Sequence, residues 1–217
     1  MGQARFDQGA ETWDEQPGRV QMAEGIASAI LAQVPVRETM SCVDYGCGTG
    51  LVTLAILPHV RHVTGIDSSA NMLARLREKT RGLTNVDTLH LDLEVDSPPA
   101  IQVDLVFSAM TFHHIADVPR VLQALAGMLV PGGFLAVADL DAEDGSFHQN
   151  MTGIHHSGFE RAWVKAQMQA AGLDDLCEST ACEVERERPE GMRKYPVFLI
   201  FGRKEDKPDR YSRGGAG

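Results

Sequence analysis

The sequence contains no long apolar run, no basic cluster and no recognisable export signal. None of its apolar runs approaches the roughly 18 to 20 residues that a membrane span requires. The first 15 residues, MGQARFDQGAETWDE, are polar and partly acidic, unlike a secretory signal. Phe6 also stands where a myristoylation signal has Ser or Thr. We therefore expect a soluble, cytoplasmic protein without a membrane partner.

Cysteine is scarce, and basic residues are outnumbered by acidic ones. The four cysteines have neither metal-ligand nor disulfide-framework spacing, which is typical of free thiols in a reducing compartment. The formal net charge is −10, and no run of Lys and Arg offsets it locally, so a phosphate backbone would be repelled. We expect no nucleic-acid partner and no metal ion.

Short apolar segments alternate with amphipathic ones after a first helix, which is predicted to begin at Pro17 and to end before Pro35. The segments typical of strands are SCVDY, HVTGID, NVDTLHLD, VDLVFSAM, FLAVADL, residues 176–184 and PVFLIFG. The segments typical of helices are TGLVTLAILPHV, SSANMLARLREKTRG with Ser68 or Ser69 as its cap, the stretch that follows Asp117, and GFERAWVKAQMQAAGL.

Three finer expectations concern the second half of the chain. The helix after Asp117 should extend to Leu129 and be stopped by the Pro-Gly-Gly that follows. The charged segment 185–194 should be a solvated hairpin connection. In the last helix the apolar residues at helical spacing predict one buried face, formed by Phe159, Ala162, Trp163, Ala166 and Ala170.

Strand and helix alternate over five repeats, which predicts an α/β fold with a parallel sheet covered on both faces. Ligands of such sheets bind beyond the carboxyl ends of the strands, where the strand order reverses. We divide the chain into an N-terminal lid-like segment (1–16), one domain (17–204) and a disordered tail (205–217).

A glycine loop lies at the expected ligand position, in the segment CVDYGCGTGLVTLAIL. Its pattern is G-x-G-x-G, whereas the dinucleotide fingerprint is G-x-G-x-x-G, and the third position of that fingerprint falls on the bulky Leu51. No Lys-Ser or Lys-Thr follows, so the loop is not a phosphate-binding P-loop. The pattern weakens a nicotinamide assignment without excluding it.

Several motifs follow this loop in a fixed order. VDYGCGTG resembles the first motif of class I S-adenosylmethionine-dependent methyltransferases. GIDSSANML, LHLDLE, DLVFSAMTFHHI and LVPGGFLAVADL resemble the later motifs of that family, over about residues 40 to 140. FDQGAETWDE is similar to the N-terminal segment of small-molecule members of the type 11 and 12 groups. The resemblance implies a single Rossmann-like, doubly wound, mostly parallel seven-stranded sheet of order 3-2-1-4-5-7-6.

The resemblance also implies which residues hold S-adenosylmethionine, which leaves as S-adenosylhomocysteine. The loop would line the methionine end, and the acid that ends the second strand would accept hydrogen bonds from the ribose hydroxyls, as it would for either cofactor. The implied cofactor-binding residues are Asp44, Gly46, Cys47, Gly48, Gly50, Asp67, Ser68, Met72, Asp92, Leu93 and Ser108.

Three of these residues have structural alternatives. Asp67 precedes two serines and would also serve as part of a helix cap. Met72 has helical spacing to Leu73, so plain core packing is open. Asp92, close to Glu94, is also consistent with an exposed loop charge.

Two adjacent histidine pairs are candidates for catalysis. A phenol, thiol or activated carbon needs a base near neutral pH before it attacks a methyl group, and histidine suits that role. His113 and His114 follow the fourth strand, and His155 and His156 lie in the loop before the last helix. Packed structural histidines are the alternative. A metal site is a third interpretation of the histidine pairs. The side chains of adjacent residues point apart, however, and no clear ligand pair at i, i+4 spacing accompanies them.

The segment after the fourth strand also restricts the acceptor. Methyltransferases that act on nucleobase amino groups typically carry Asn or Asp followed by Pro-Pro-Tyr or Phe there, whereas this sequence has SAMTFHHI. Phe6, Trp13 and Phe112 are candidates for aromatic walls or a lid, with ordinary hydrophobic anchoring as the alternative.

We therefore predict a methyltransferase that acts on an oxygen, sulfur or carbon atom of a small molecule. Two alternatives stay open: a nicotinamide-dependent oxidoreductase, and a cofactor-binding subunit that methylates protein or tRNA only within a complex.

Overall fold

The computed structural model describes residues 2–189 and 191–205, with side chains from residue 6 onward. The predicted disordered tail lies outside the described residues, apart from Glu205. Among the described helices none has both the length and the apolar character that crossing a bilayer demands.

Seven strands form the sheet. They are β1 (Ser41–Tyr45), β2 (His62–Asp67), β3 (Val86–His90), β4 (Val103–Ala109), β5 (Leu129–Leu140), β6 (Leu173–Arg188) and β7 (Gly191–Lys204). The α-helices are α1 (Gly2–Gly9), α2 (Pro17–Gln33), α3 (Leu51–Ile56), α4 (Ala70–Lys79), α5 (Val118–Gly127) and α6 (Arg161–Ala170). Short 3-10 turns cover Ala10–Glu15, Leu57–His59 and Phe112–His114.

The strand order is β3-β2-β1-β4-β5-β7-β6, which confirms the predicted order and fold class. β1 to β5 pair in parallel, and β7 is antiparallel to both of its neighbours. The order reverses between β1 and β4, so the crevice that parallel sheets offer to ligands opens beyond these two strands.

Alternating side chains of the central strands fill two separate cores. Cys42, Leu105 and Phe107 face the core that α2 and α3 cover, whereas Val43 and Val106 face the core that α5 and α6 cover. This division follows from the two-residue period of a strand, because every residue of a central strand is buried on one face or the other.

The predicted helix caps are present. Ser69 is the N-cap of α4, and its hydroxyl accepts the Met72 backbone N–H. Asp117 caps α5 by accepting the backbone N–H of Arg120. Local side-chain chemistry therefore fixes where both helices begin.

Two expectations about the second half of the chain are wrong. α5 ends at Gly127, and β5 already begins at Leu129, where it pairs with Val103 before a register shift. The Pro-Gly-Gly segment is thus an irregularity inside a strand. The segment 185–194 is mostly paired strand and not a loose connection, because backbone pairing of β6 with β7 needs no apolar side chains.

The predicted buried face of the last helix is also wrong. α6 buries Val164 and Met168, whereas Trp163 is 38% exposed and stacks on Phe159, which precedes the helix. Val164 and Met168 are four residues apart and carry larger apolar side chains than the alanines of the predicted face. Burying them removes more apolar surface from water.

The long connection between β5 and α6 folds back, so that its last residues lie beside the end of β5. Asp141 and Phe159 form a parallel bridge, and the backbone N–H of Phe159 donates to Leu140 O over 2.9 Å. Gly158 sits inside this closure with a φ of +73°, and a Cβ there would lie 2.1 Å from Asp141 O. Position 158 therefore requires glycine both for its positive φ and for the absence of a Cβ.

We predict that Gly158→Ala lowers the free energy of unfolding by about 3 kcal/mol, since the new methyl group meets backbone that cannot move aside. Gly172→Ala is the matched control, because Gly172 also has a positive φ, of +88°, but nothing lies within 4 Å of its would-be Cβ. The control should lose only about 1 kcal/mol. Urea unfolding measures both, and equal losses would contradict the close approach.

Candidate functional site

One cavity of about 270 Å³ opens at the carboxyl ends of the strands. Its wall combines the glycine loop, the ends of β2 and β3, the segment after β4, the N-terminal segment and part of β6. The sequence-predicted residues that line it are Phe6, Trp13, Asp44, Gly46, Cys47, Gly48, Asp67, Ser68, Met72, Asp92, His113 and His114.

The glycine loop is held in shape by the end of β2. The backbone N–H groups of Gly46 and Cys47 donate to Ile66 O, over 2.8 and 3.1 Å. Gly48 N–H donates to Asp67 Oδ2 and Ser69 N–H donates to Asp67 Oδ1, both over 2.8 Å. Each carboxylate oxygen of Asp67 keeps a further lone pair, so the acid can orient the loop and still accept a ligand hydroxyl.

Two acids face the loop end of the cavity, the buried Asp44 and the half-buried Asp67. Asp44 is 1% exposed and accepts the Thr53 hydroxyl over 2.5 Å. Burial raises the pKa of Asp44 to about 7, although the Thr53 hydrogen bond opposes the shift. Burial also raises the pKa of Asp67, against its two backbone hydrogen bonds. A cation bound beside them would remove the desolvation cost of their charged forms.

Three predicted cofactor residues do not line the cavity. Ser108 is fully buried, and its hydroxyl donates to Tyr45 O. Leu93 belongs to the core under the sheet. Gly50 adopts a φ of +85° at the start of α3, where a Cβ would lie 2.3 Å from the Leu76 side chain. These three residues support the loop and strands from behind.

The other end of the cavity contains a buried histidine–carboxylate pair. His113 is 2% exposed, and its Nδ1 lies 2.7 Å from Oδ1 of the fully buried Asp139. Burial works to raise the pKa of Asp139, but the charge and hydrogen bond of His113 outweigh it and hold that pKa below its usual value. Because an ionised carboxylate only accepts, we assign the proton to Nδ1 of His113, which leaves Nε2 as its free ring nitrogen.

His114 is held differently. Its Nδ1 donates to Gly153 O over 2.7 Å. Burial and the neighbouring His113 lower the pKa of His114 to about 3, so the ring is neutral near pH 7. His114 stands edge-on against Phe6, with ring centroids 4.9 Å apart. It is a polar wall of the cavity.

The second histidine pair lies outside the cavity lining. The backbone N–H groups of His155 and His156 both donate to His113 O, over 2.9 and 3.2 Å. Nε2 of His156 is hydrogen-bonded to Ile115 O over 2.9 Å, and the ring packs on Phe159. The pair therefore fastens the β5–α6 connection to the residue that carries the buried ring.

The N-terminal segment crosses the cavity and is anchored by two acids. Asp7 accepts the Ser69 hydroxyl over 2.5 Å, and Asp14 accepts the Thr49 hydroxyl over 2.6 Å and pairs with Lys79. This attachment brings the rings of Phe6 and Trp13 to the lining, 5.7 Å apart. Phe112, the third predicted wall, lies in the core and not in the cavity.

Several lining residues carry no signal in the sequence. The most notable are Arg19, Thr111, Phe147, His148 and Arg186. The His148 ring lies near the His113 ring, with centroids 4.9 Å apart and planes tilted by 36°, although His148 is a single histidine in the sequence and lies 35 positions away. Arg186 lies in the segment 185–194, which the sequence predicts to be a hairpin connection. Polar residues in irregular segments and at strand ends have no periodicity that would single them out. Across the described ranges no three His, Cys, Asp or Glu side chains are grouped as metal ligands.

The strand order and the crevice are those of a Rossmann-like α/β domain. Residues 43–137 match the family described as "Methyltransferase domain". This match covers less than half of the chain and agrees with the class I methyltransferase family that the motifs resemble.

Curated relatives share this domain at moderate identity. An uncharacterised methyltransferase of Schizosaccharomyces pombe is 34% identical over 142 residues, which are 57% of this chain and 49% of the relative. The trans-aconitate 2-methyltransferase of Rhodopseudomonas palustris (strain BisB18) is 33% identical over 152 residues, 69% of this chain and 56% of the relative. The chain therefore spans about half the length of the curated relatives it matches.

Solved structures share the fold at lower identity. The YcgJ protein of Bacillus subtilis has a TM-score of 0.69 and 16% identity, over 83% of this chain and 98% of its own. The N-methyltransferase NodS of Bradyrhizobium japonicum WM9, in complex with S-adenosyl-L-homocysteine, has a TM-score of 0.64 and 18% identity, over 88% and 89%. The complex between the Trm112 methyltransferase activator of Haloferax volcanii and a methyltransferase has a TM-score of 0.74 and 22% sequence identity. The match covers 92% of this chain and 97% of the matched chain. These likenesses show the fold.

The lowered pKa of His114 implies that the free energy of unfolding depends on pH. Between about pH 3 and the ordinary value of 6.5, the unfolded chain binds a proton at this residue that the folded chain does not. Stability should therefore fall as the pH is lowered through this window, by at most about 1.4 kcal/mol per pH unit from this group.

Unfolding of His114→Asn, followed from pH 7 to 4.5, should show a weaker loss than the native chain, because Asn keeps a donor for Gly153 O but does not titrate. His59→Asn removes an exposed histidine and is the control. Parallel curves for the native chain and His114→Asn would contradict the assignment.

Proposed function

We propose that the protein transfers the methyl group of S-adenosylmethionine to a small-molecule acceptor, and that His113 removes the proton of the acceptor. The observation that carries this proposal is the buried His113–Asp139 pair, which lines the same cavity as the glycine loop and Asp67. A catalytic ring and a cofactor loop then share one enclosed space, as transfer between two bound reactants requires.

The residues at the loop end fit the cofactor. Asp67 ends β2 and retains acceptor capacity for ribose hydroxyls. A Cβ built at Gly48 has nothing within 4 Å, so the backbone there is open to close approach by a ligand. Asp44, beside this loop, suits the cationic part of the methionine end. Met72 is 1% exposed yet lines the cavity, which supports both its core role and contact with adenine.

The cofactor supplies an electrophilic methyl group on a sulfonium. The protein then has to hold the acceptor in line, exclude water and take up one proton. His113 is suited to the last task, because Asp139 keeps Nδ1 protonated and would stabilise the imidazolium after Nε2 takes the acceptor proton. His114 is the weaker candidate, since its lowered pKa makes it a poor base near neutral pH.

The relatives support a small acceptor. Several are named trans-aconitate 2-methyltransferase, from Rhodopseudomonas palustris and Azoarcus, so their acceptor is a small organic acid. The net charge of −10 is in keeping with this proposal, because it disfavours a nucleic-acid acceptor.

The cofactor assignment predicts a loss of binding in Asp67→Ala. Removal of an acceptor of two hydrogen bonds should weaken the affinity for S-adenosylhomocysteine about 100-fold or more, as measured by isothermal titration calorimetry. Asp67→Asn keeps the shape and serves as a second variant should Asp67→Ala fold poorly. Asp87→Asn, at an exposed residue of β3, is the control and should bind normally. Undiminished binding, or tighter binding of NAD or NADP, would overturn the assignment.

The base assignment predicts a loss of turnover without a loss of cofactor affinity. With methyl-labelled S-adenosylmethionine and the small-molecule fraction of a cell extract, His113→Asn should transfer label about 100-fold more slowly. Asp139→Asn should also be slow and should change the pH profile, since it alters the proton on His113. His59→Asn is the control. A His113→Asn/His114→Asn double variant that transfers label at full rate would end the proposal, and label on protein or tRNA would favour a macromolecular acceptor.

A further inference from the structure

The acidic and the basic side chains that the sheet brings to the cavity lie in different halves of it. The carboxylates Asp44, Asp67, Asp92 and Glu94 come from β1, β2 and the segment after β3. The basic side chains on the other side come from the segments after β4 and β5 and from β6, and one further arginine, Arg19, comes from α2 and lies over the Trp13 ring. In the order β3-β2-β1-β4-β5-β7-β6, the acids therefore occupy one half of the sheet edge and the bases the other.

Arg186 is an exposed residue, and it is the permanently charged side chain that β6 contributes to the cavity lining. It lies on the same face of β6 as Cys182 and Val184, because residues two apart in a strand point the same way, and this is the face that packs toward α2. Its guanidinium lies over the Phe147 ring, with Cζ 4.3 Å from the centroid. The stacked ring fixes the direction of the side chain and leaves the edge of the guanidinium available for hydrogen bonds.

The neighbouring arginines of the hairpin are already bound to protein groups. Arg188 donates to Tyr195 Oη and to Phe147 O, over 2.9 and 3.0 Å. Arg193 donates to Asp144 over 2.6 Å and to the Ser146 hydroxyl over 3.0 Å. Arg186, by contrast, has neither a hydrogen bond nor an ion pair to any residue within 2–189 and 191–205.

We propose that Arg186 binds an oxyanion of the methyl acceptor, a carboxylate or a phosphate, and so determines the substrate class. This inference rests on the proposed function, because it places the acceptor in the half of the cavity that the cofactor leaves free. A guanidinium presents two parallel N–H donors that match either oxyanion. The rings of His113 and His148 line the same cavity and are polar, so they tolerate a charged group there. The acids of the other half would repel the same anion and keep it away from the cofactor site.

The alternative is that Arg186 only packs on Phe147. Arg186→Met separates the two roles, because methionine retains an unbranched apolar side chain for the ring but loses the charge. Arg186→Lys keeps the charge without the planar pair of donors. Arg120→Met is the matched control, since Arg120 is exposed on α5 and outside the cavity lining.

The experiment measures binding to the protein saturated with S-adenosylhomocysteine, by calorimetry at low ionic strength. The probes are trans-aconitate, its uncharged trimethyl ester and inorganic phosphate. The native chain should bind at least one anion and not the ester. Arg186→Met should weaken that binding about tenfold or more, Arg186→Lys should weaken it less, and Arg120→Met should leave it unchanged. Tight binding of trans-aconitate identifies a carboxylate subsite, and tight binding of phosphate identifies a phosphate subsite.

Three results would overturn the inference: no anion binds the native chain, Arg186→Met and Arg120→Met behave alike, or the ester binds as well as the acid. The titration of S-adenosylhomocysteine into the free protein is read separately. If that titration succeeds and the anions fail, the oxyanion site is wrong while the methyltransferase proposal stands. If it fails, the cofactor assignment is wrong as well.

Discussion

The hydrogen-bonded pair of His113 and Asp139 joins the parts of the molecule that form the basic half of the cavity. Asp139 lies at the carboxyl end of β5, and His113 follows β4. The His113 carbonyl oxygen in turn accepts two N–H groups of the β5–α6 connection, at His155 and His156. A buried carboxylate without its partner would be costly, so this pairing constrains two strand ends and a long connection to a single arrangement.

The two halves of the cavity are built by different physical means. The cofactor half depends on backbone geometry, with glycines and N–H groups arranged around Asp67, which is why a short motif encodes it. The opposite half is assembled from side chains of distant segments, including Phe147 and Arg186. A site of the second kind can change its ligand by substitution without disturbing the fold.

The sequence predicts the structure correctly where local rules determine it. The seven strands, their order and the caps at Ser69 and Asp117 follow from periodicity, resemblance and short-range hydrogen bonding. The buried face of α6 was misjudged because alanine and tryptophan at helical spacing outweighed Val164 and Met168. His148 and Arg186 could not be found, since only long-range packing brings a loop residue and an edge-strand residue to the cavity. Charged residues on a strand that pairs through its backbone look like a loop in sequence.

The anchoring of the N-terminal segment has a practical consequence for recombinant work. Asp7 and Asp14 attach it to Ser69, Thr49 and Lys79, so the first helix is part of the cavity wall and not an appendage. A truncated chain that starts at the second helix would retain the sheet and both cores, yet would present an open trough to solvent.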